Sequence, residues 1–505
     1  MAPRTKPALY VALDFGTSHV KAVVSGASGD PISSSRRRLT FAAPPGGPDA
    51  ALEFDPEAAW RLACEAVNEA VAASGVQRSR LRAIAVTSQR LGIVLYGRDG
   101  KPVHASPNRD ARAVFQGGTI DADHGNELWQ LTGHGPGMLT AWAKLRWFKE
   151  EAPAVYERVR TVSGIADWLC QRMTGVLLME SSLGVESGLA LVTTGHPADG
   201  LSERLGVGEI DLAPTCQAGT VIGKLVTAAA RDLGLEHGMP VVNAGPDTQA
   251  GLAGMGIHRP DDAGVVAGWS AAVQRVTRLP VMDDTHSMWS GRHVVPERWV
   301  IEGNAGEMGG AYSWLASMLC GGMTEPQAMA ALEEESSAVE AGARGAAAYL
   351  GPTFVNISGV GLRTGGLLFP VPLAFEPADR GSLARAALES FAFAVRFNLD
   401  RLAQFGGPVK TIAMAGGMTR TSTFCGLVAT TVGKTVGVAR SGESATLGAL
   451  SMAAAAAGGG SLAESLEARS AALSPCEPQR DETALYDDLY HSWRARERRL
   501  KEVEL

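Results

Sequence analysis

The chain uses one design twice. "YVALDFGTSHVKAVVSG" (Tyr10 to Gly26) and "AGVVAGWSAAVQRVT" (Ala263 to Thr277) each run apolar strand, tight polar turn, apolar strand. Such a hairpin must bury at least one face, so each stretch demands a layered core of its own. A chain of 505 residues is too long for one ordinary core and long enough for two. The half boundary is placed near Ile257, where "IHRPDDAGVV" sets Pro260 and the pair Asp261 and Asp262 before a fresh strand.

Strand-like and helix-like runs alternate elsewhere, which predicts an α/β fold of layered sheets and helices rather than a bundle or sandwich. "DPEAAWRLACEAVNEAVAASG" has apolar residues every three or four positions, with Asp55 and Pro56 suited to an N-cap and first turn. "LRAIAVTSQ" is a strand, and "GIVLYGRDGKPV" a hairpin turning near Asp-Gly. "MLTAWAKLRWFKEEAP" is a helix ended by Pro153, and "GIADWLCQRMTG" a helix ended by Gly175. Ser181 to Gly219 reads as irregular. "GMPVVNAGPDTQAGLAGMG" is a buried strand, a turn and a small-residue helix, and "VKTIAMAGGMTRTSTFCGLVATTVGKTV" a strand, a glycine turn and a helix. The expected domains are 1–257 and 258–457, followed by a helical tail, 458–505, packed on the body through Leu485, Leu489 and Trp493.

The net charge of −7 argues against nucleic acid or an anionic membrane as partner, and the basic run Arg36 to Arg38 reads as a solvated surface turn. The six cysteines have no metal-ligand or redox-motif spacing and read as isolated thiols in a reducing compartment. The opening residues enter a strand at once, and no apolar run approaches a membrane span, so a cytoplasmic location is expected.

The turns carry the chemistry. "DFGTSH" offers the amides of Gly16, Thr17 and Ser18, two hydroxyls and the nearby charge of Lys21, an arrangement that can cradle a phosphate. Asp14 would repel a phosphate directly but suits a Mg²⁺ that holds one. Taken alone, these residues equally describe an ordinary hairpin. "GPDTQAGLAGMG" adds Asp247 between a buried strand and a small-residue helix. "AGGMTRTSTF" adds Gly416 and Gly417 at a strand end, where backbone can approach a flat ring. "SGESATLGAL" adds Ser441 and Glu443 ahead of another small-residue helix. Three glycine-punctuated turns at strand ends, spread over two similar halves, suit a nucleotide clamped between domains.

From Leu9 to Ala457 the chain resembles the FGGY carbohydrate kinases of the actin-like ATPase superfamily, whose domains have the ribonuclease H-like fold. "ALDFGTSHVKAVV" is similar to that family's first phosphate motif, with Asp14 in the metal-associated position. "NAGPDTQAGLAGMG" is similar to its catalytic-aspartate motif, which makes Asp247 the implied general base. "AMAGGMTRTSTFCGLVATTVGKTV" with "ESATLGAL" is similar to its adenosine motif, implying nucleotide contacts at Gly416, Gly417 and Ser422. The second hairpin turn, Gly268, Trp269 and Ser270, matches its second phosphate turn. The resemblance implies ATP and Mg²⁺ as cofactors and a small sugar, ketose or polyol as substrate. In it, Asp247 takes a proton from a substrate hydroxyl as that oxygen attacks the γ-phosphate. Gln89 and Arg90 of "TSQRLG", Asp110 and Arg112 of "NRDAR", and Thr248 match its substrate-binding positions. For Arg90 and Arg112 a surface or interdomain ion pair is the competing reading. A homodimer is left open.

Three departures from the family pattern bear on the substrate. Trp269 stands where relatives carry a threonine; the indole either fills phosphate space, forms a stacking wall, or packs in a shifted hairpin. Asn108 replaces a pocket tryptophan. "VNISGVGLRTGGLLFPV" replaces a Gly-Glu-Arg motif, with Arg363 as its remaining echo. The alternative function is a catalytically impaired, nucleotide- or metabolite-binding regulatory homologue.

Overall fold

The computed structural model describes residues 8–48, 50–350, 365–370 and 378–502; Arg363 lies outside the described residues. The first half is built on a six-stranded sheet. Its hairpin is β1 (Leu9–Phe15) and β2 (His19–Ser25), with β3 (Ser33–Arg38) antiparallel beyond it. On the other side of β1 lie β4 (Leu81–Ser88), parallel to it, then β6 (Pro240–Pro246), parallel to β4, and β5 (Thr220–Lys224). The spatial order is therefore β5-β6-β4-β1-β2-β3.

The second half repeats this order with different residues. The hairpin β7 (Ala263–Ala267) and β8 (Ala271–Thr277) is extended antiparallel by β10 (Trp299–Asn304) and then β9 (Trp289–Arg292). Parallel to β7 follow β11 (Ile412–Ala415) and β12 (Val436–Val438), and β13 (Ser474–Cys476) pairs antiparallel at the edge. Every residue of β1 is buried, which is why that strand reads as an unbroken apolar run and not as an alternation.

Helices cover these sheets for local reasons. Asp55 caps α1 (Pro56–Ala73) by accepting from the N–H groups of Glu57 and Ala58 at 2.7 and 3.0 Å. The face carrying Trp60, Ala63, Val67 and Ala70 then packs on the first sheet. The segments at Ala141–Glu151 and Ile165–Thr174 are helices, the latter closed by Gly175 at φ +79°. Residues 93–96 pair with 102–106 as a hairpin.

The link between halves is a helix crossing. α2 (Asp247–Gly254) starts directly from β6, and α6 (Ser444–Ala456) lies against it and against β1, β4 and β6. The approach needs glycine. A Cβ on Gly254 would sit 1.8 Å from the Ser444 carbonyl oxygen, and one on Gly448 1.9 Å from that of Ala250.

Three local expectations are corrected. Arg36 to Arg38 form no turn; they lie in β3, the sheet edge, where Arg37 pairs with Glu65 and Glu69 of α1. The 181–219 segment is not wholly irregular, since Ser181–Glu186 is a helix capped by the Glu180 carboxylate. In the tail, α7 (Leu462–Ala471) packs near α2 and α6, while α8 (Thr483–Glu502) buries Tyr486, Tyr490, Trp493 and Glu497. Leu485 is 47% exposed. Trp493 is buried as expected and Leu489 packs at the core's edge, but Leu485 gives way to the two tyrosines, which offer more area to bury and whose hydroxyls reach Glu389 and Asp400 of α4 (Arg380–Ala403). The six cysteines are free, and no helix among the described residues is long and apolar enough to cross a membrane.

Candidate active site

A cavity of about 290 Å³ lies between the halves, lined by the turns that join β1 to β2 and β7 to β8. Gly16, Thr17, Ser18 and Lys21 face it from the first half. The Gly16 N–H closes the first turn on the His19 carbonyl at 3.0 Å, and Asn108 donates to the Thr17 hydroxyl at 3.0 Å. Asp14 sits at the end of β1, opposite Lys21 in the strand register. Its Oδ1 is buried with no hydrogen-bond partner. Burial raises the Asp14 carboxyl to about 7; Lys21 opposes the rise, and Asp247 and Glu443 add to it.

Asp247 is the first residue of α2 and reaches the same cavity, with Thr248 beside it donating to Asp247 Oδ1 at 3.1 Å. Burial raises its pKa, and Arg90 pulls the other way. Asp14, Asp247 and Glu443 therefore share a cavity with few cations. An unpartnered buried carboxylate oxygen facing such a cavity is a chemical fit for a hard divalent cation. Among the described residues no group of three or more His, Cys, Asp and Glu is arranged to hold a metal unaided. A single carboxylate completed by phosphate oxygens and water is the ligand pattern Mg²⁺ accepts.

The opposite wall comes from the second half. The Gly268 N–H closes its turn on the Ser270 carbonyl at 3.0 Å. Trp269 is 54% exposed and lines the cavity, so it is not a core packing residue. Its indole rests on Gly310 at the start of α3 (Met308–Leu319), where a Cβ would come within 2.7 Å of Cε2. Gly416, at φ +110°, has no room for a side chain, because a Cβ would be 2.3 Å from the Ala267 carbonyl oxygen. Gly417 beside it is open to the cavity. Glu443 reaches Lys21 at 3.6 Å, joining the two walls.

Four sequence-derived positions fall elsewhere. Gln89 is saturated inside the protein: its amide donates to the Gly16 carbonyl at 3.1 Å and its oxygen accepts from the Asn108 N–H at 2.8 Å. It props the first turn and does not line the cavity. Asp110 and Arg112 form a buried pair at 2.9 Å, Arg112 reaching Glu53 as well and stacking on Trp147 and Phe148 at 5.0 Å. Ser422 is exposed and turned away; with the Thr423 N–H it donates to Glu333, which serves the helix start at α5 (Ser422–Val432).

Arg90 is an interdomain ion pair, as its competing reading expects, with Glu186 from the first half and Glu302 from the second each at 2.7 Å, and it also lines the cavity. His134, Gln249 and Gln274 complete this cluster. Sequence reading missed Glu186, Glu302 and His134. The available signal was Glu302, a lone carboxylate inside the apolar strand "WVIEGN".

Comparison with known proteins agrees with this geometry. The model of the FGGY carbohydrate kinase N-terminal domain matches residues 9–254, and that of the C-terminal domain matches 263–457. The autoinducer-2 kinase of Yersinia enterocolitica serotype O:8 / biotype 1B is 28% identical, over 96% of this chain and 93% of its own. The crystal structure of xylulose kinase from Rhodospirillum rubrum superposes with a TM-score of 0.84 at 24% identity, covering 98% of this chain and 99% of that one. That of Plasmodium falciparum glycerol kinase with ADP gives 0.83 at 16%, covering 99% and 100%. These structures share the two-domain, actin-like fold. The chain belongs to the FGGY family of carbohydrate kinases, enzymes that transfer a phosphoryl group from ATP to a sugar or polyol.

Proposed function

We propose that this kinase phosphorylates a primary hydroxyl of a small sugar, ketose or polyol, with Asp247 as general base. The single observation that carries the reading is the placement of the Asp247 carboxylate in the gap between two phosphate-sized turns, its pKa raised by burial. A carboxylate so raised takes up a proton more readily than an exposed one, which suits a group that must accept one from an alcohol.

The Gly16, Thr17 and Ser18 turn, with Lys21, would grip the phosphates from one side, and the Gly268, Trp269 and Ser270 turn from the other. Gly416 and Gly417 would let the nucleotide's flat ring lie against backbone. Asp14 would hold Mg²⁺, which when bound supplies charge neutralisation along the phosphates. Asp247 would accept the acceptor's proton as the alcohol oxygen closes on the γ-phosphate in line, and Thr248 fixes the carboxylate's direction. The relatives and similar structures are named as kinases of autoinducer-2, xylulose, glycerol and gluconate.

The test is Asp247→Asn. Its acceptor-dependent ADP release is expected to fall by roughly 10²–10⁴-fold, the usual worth of a general base, with ADP affinity unchanged within a few fold. Retained turnover would overturn the assignment.

A further inference from the structure

Behind Arg90, which lines the cavity, lies a buried charge cluster drawn from both halves. The Arg90 guanidinium donates from Nη1 to Glu186 Oε2 and Glu302 Oε2 at 2.7 Å each, and from Nη2 to Glu302 Oε1 at 2.8 Å. Both carboxylates are almost wholly buried. Gln249 of α2 donates to Glu186, and Gln274 of β8 to Glu302. Gly291 of β9 leaves room for Glu186, since a Cβ there would lie 2.7 Å from its Oε1. His134 sets Nε2 3.2 Å from Glu186 Oε2 and Nδ1 3.0 Å from the Thr132 carbonyl oxygen. Both ring nitrogens face acceptors, an arrangement that favours the doubly protonated ring.

One consequence bears on the acceptor. A carboxylate-bearing substrate is ordinarily recognised by a guanidinium fork left open for it. Here the Arg90 fork is filled from two sides, by Glu186 and Glu302 buried behind it. Lys21, the other Lys or Arg among the described cavity-lining residues, faces Glu443. A sugar acid in the cavity would therefore meet the Asp247 carboxylate with both of these cations already engaged. A neutral polyhydroxy acceptor brings no charge that needs such a partner.

We propose that Glu302 is a specificity-determining residue: reaching across from the second half, it joins Glu186 in filling the Arg90 fork, so that the site takes neutral polyhydroxy acceptors and rejects sugar acids. The inference rests on the phosphoryl-transfer reading above.

The experiment uses the full chain with Mg·ATP and acceptors matched in carbon number: ketoses and alditols against the corresponding aldonates, followed by ADP release. Wild type is expected to favour the neutral member by about a hundredfold or more in kcat/KM, the scale of several like-charge contacts. Glu302→Gln frees part of the fork and is expected to raise relative aldonate kcat/KM about tenfold, chiefly through KM. Glu302→Asp, which keeps the charge, is expected to restore rejection. Wild type using aldonates as well as their neutral counterparts would overturn the proposal, whether or not any variant folds. So would an unchanged ratio in Glu302→Gln that still binds ADP; Glu186→Gln carries the same expectation if that variant does not. If every acceptor, neutral or acidic, stays untouched while ADP binds, the phosphoryl-transfer reading fails and takes this inference with it, an outcome distinct from aldonate turnover.

Discussion

Residues that look equivalent in the sequence do different work once placed. Gln89 and Arg90 are neighbours, yet Gln89 is spent holding the Gly16 turn and Arg90 faces the cleft. The reason is local: both lie in the bend just past the end of β4, where the Gln89 amide is held by the Gly16 carbonyl and the Asn108 N–H while Arg90 is drawn to Glu186 and Glu302. Asp110 and Arg112 were legible as a pair but not as a buried brace behind the pocket, because spacing fixes which groups meet and not which surface they face. Asp14, Asp247 and the glycines were legible because turn chemistry is local. His134 was not, since its partner Glu186 lies in a segment without periodic pattern. Its charge gives a testable sign. Burial alone would push its pKa down, but Glu186 overcomes this and raises it. A raised pKa contributes stability that is fully present below the unfolded value of about 6.5 and is lost as pH rises through the folded value. Arg90, Glu186 and the Trp289 ring face it, and only His134 among them titrates near neutrality. The melting-temperature gap between wild type and His134→Gln is therefore expected to be largest below about pH 6.5 and to shrink as the pH rises above it. A gap independent of pH would remove the imidazolium from the account.

Elements were legible where periodicity and caps agreed. α1, the helices closed by Pro153 and Gly175, and the two hairpins follow from signals within a few residues. What the sequence could not supply was the partner of each face. The small residues of α6 announced close packing, and they do pack closely, but against α2 and three strands of the other half. Nothing within α6 itself encodes that choice. The crossing makes a sharp prediction. Gly448→Ala places a methyl where the Ala250 carbonyl oxygen already stands. It is expected to cost about 1–3 kcal/mol or more through overpacking, read by urea denaturation. Because α2 begins at Asp247, it should lower kcat as well; full stability in this variant would mean the helices part more easily than their spacing implies.

At the scale of the molecule, a six-stranded and a seven-stranded sheet, alike in the order of six strands, face each other across one cleft, and the repeated hairpin within them was visible in the sequence. The helical tail expected over 458–505 packs on both halves and adds a short strand between its two helices. Arg469 of α7 donates to the carbonyls of Ala27 and Gly29 in the first half, while β13 lengthens the second sheet. The face of the first sheet made by Tyr10, Ala12, Ala85 and Val242 is covered by Leu447, Leu450 and Ala453 of α6. During synthesis even the last part of that apolar surface to emerge, Val242, leaves the ribosome about two hundred residues ahead of its cover, which starts at Leu447. The first half must wait, unfinished, until nearly the whole polypeptide is made, which favours slow, long-range completion and leaves a sticky intermediate. A fragment ending at Ile257 is accordingly expected to aggregate or bind a hydrophobic dye, and a monomeric fragment with native-like amide protection would refute this order of events.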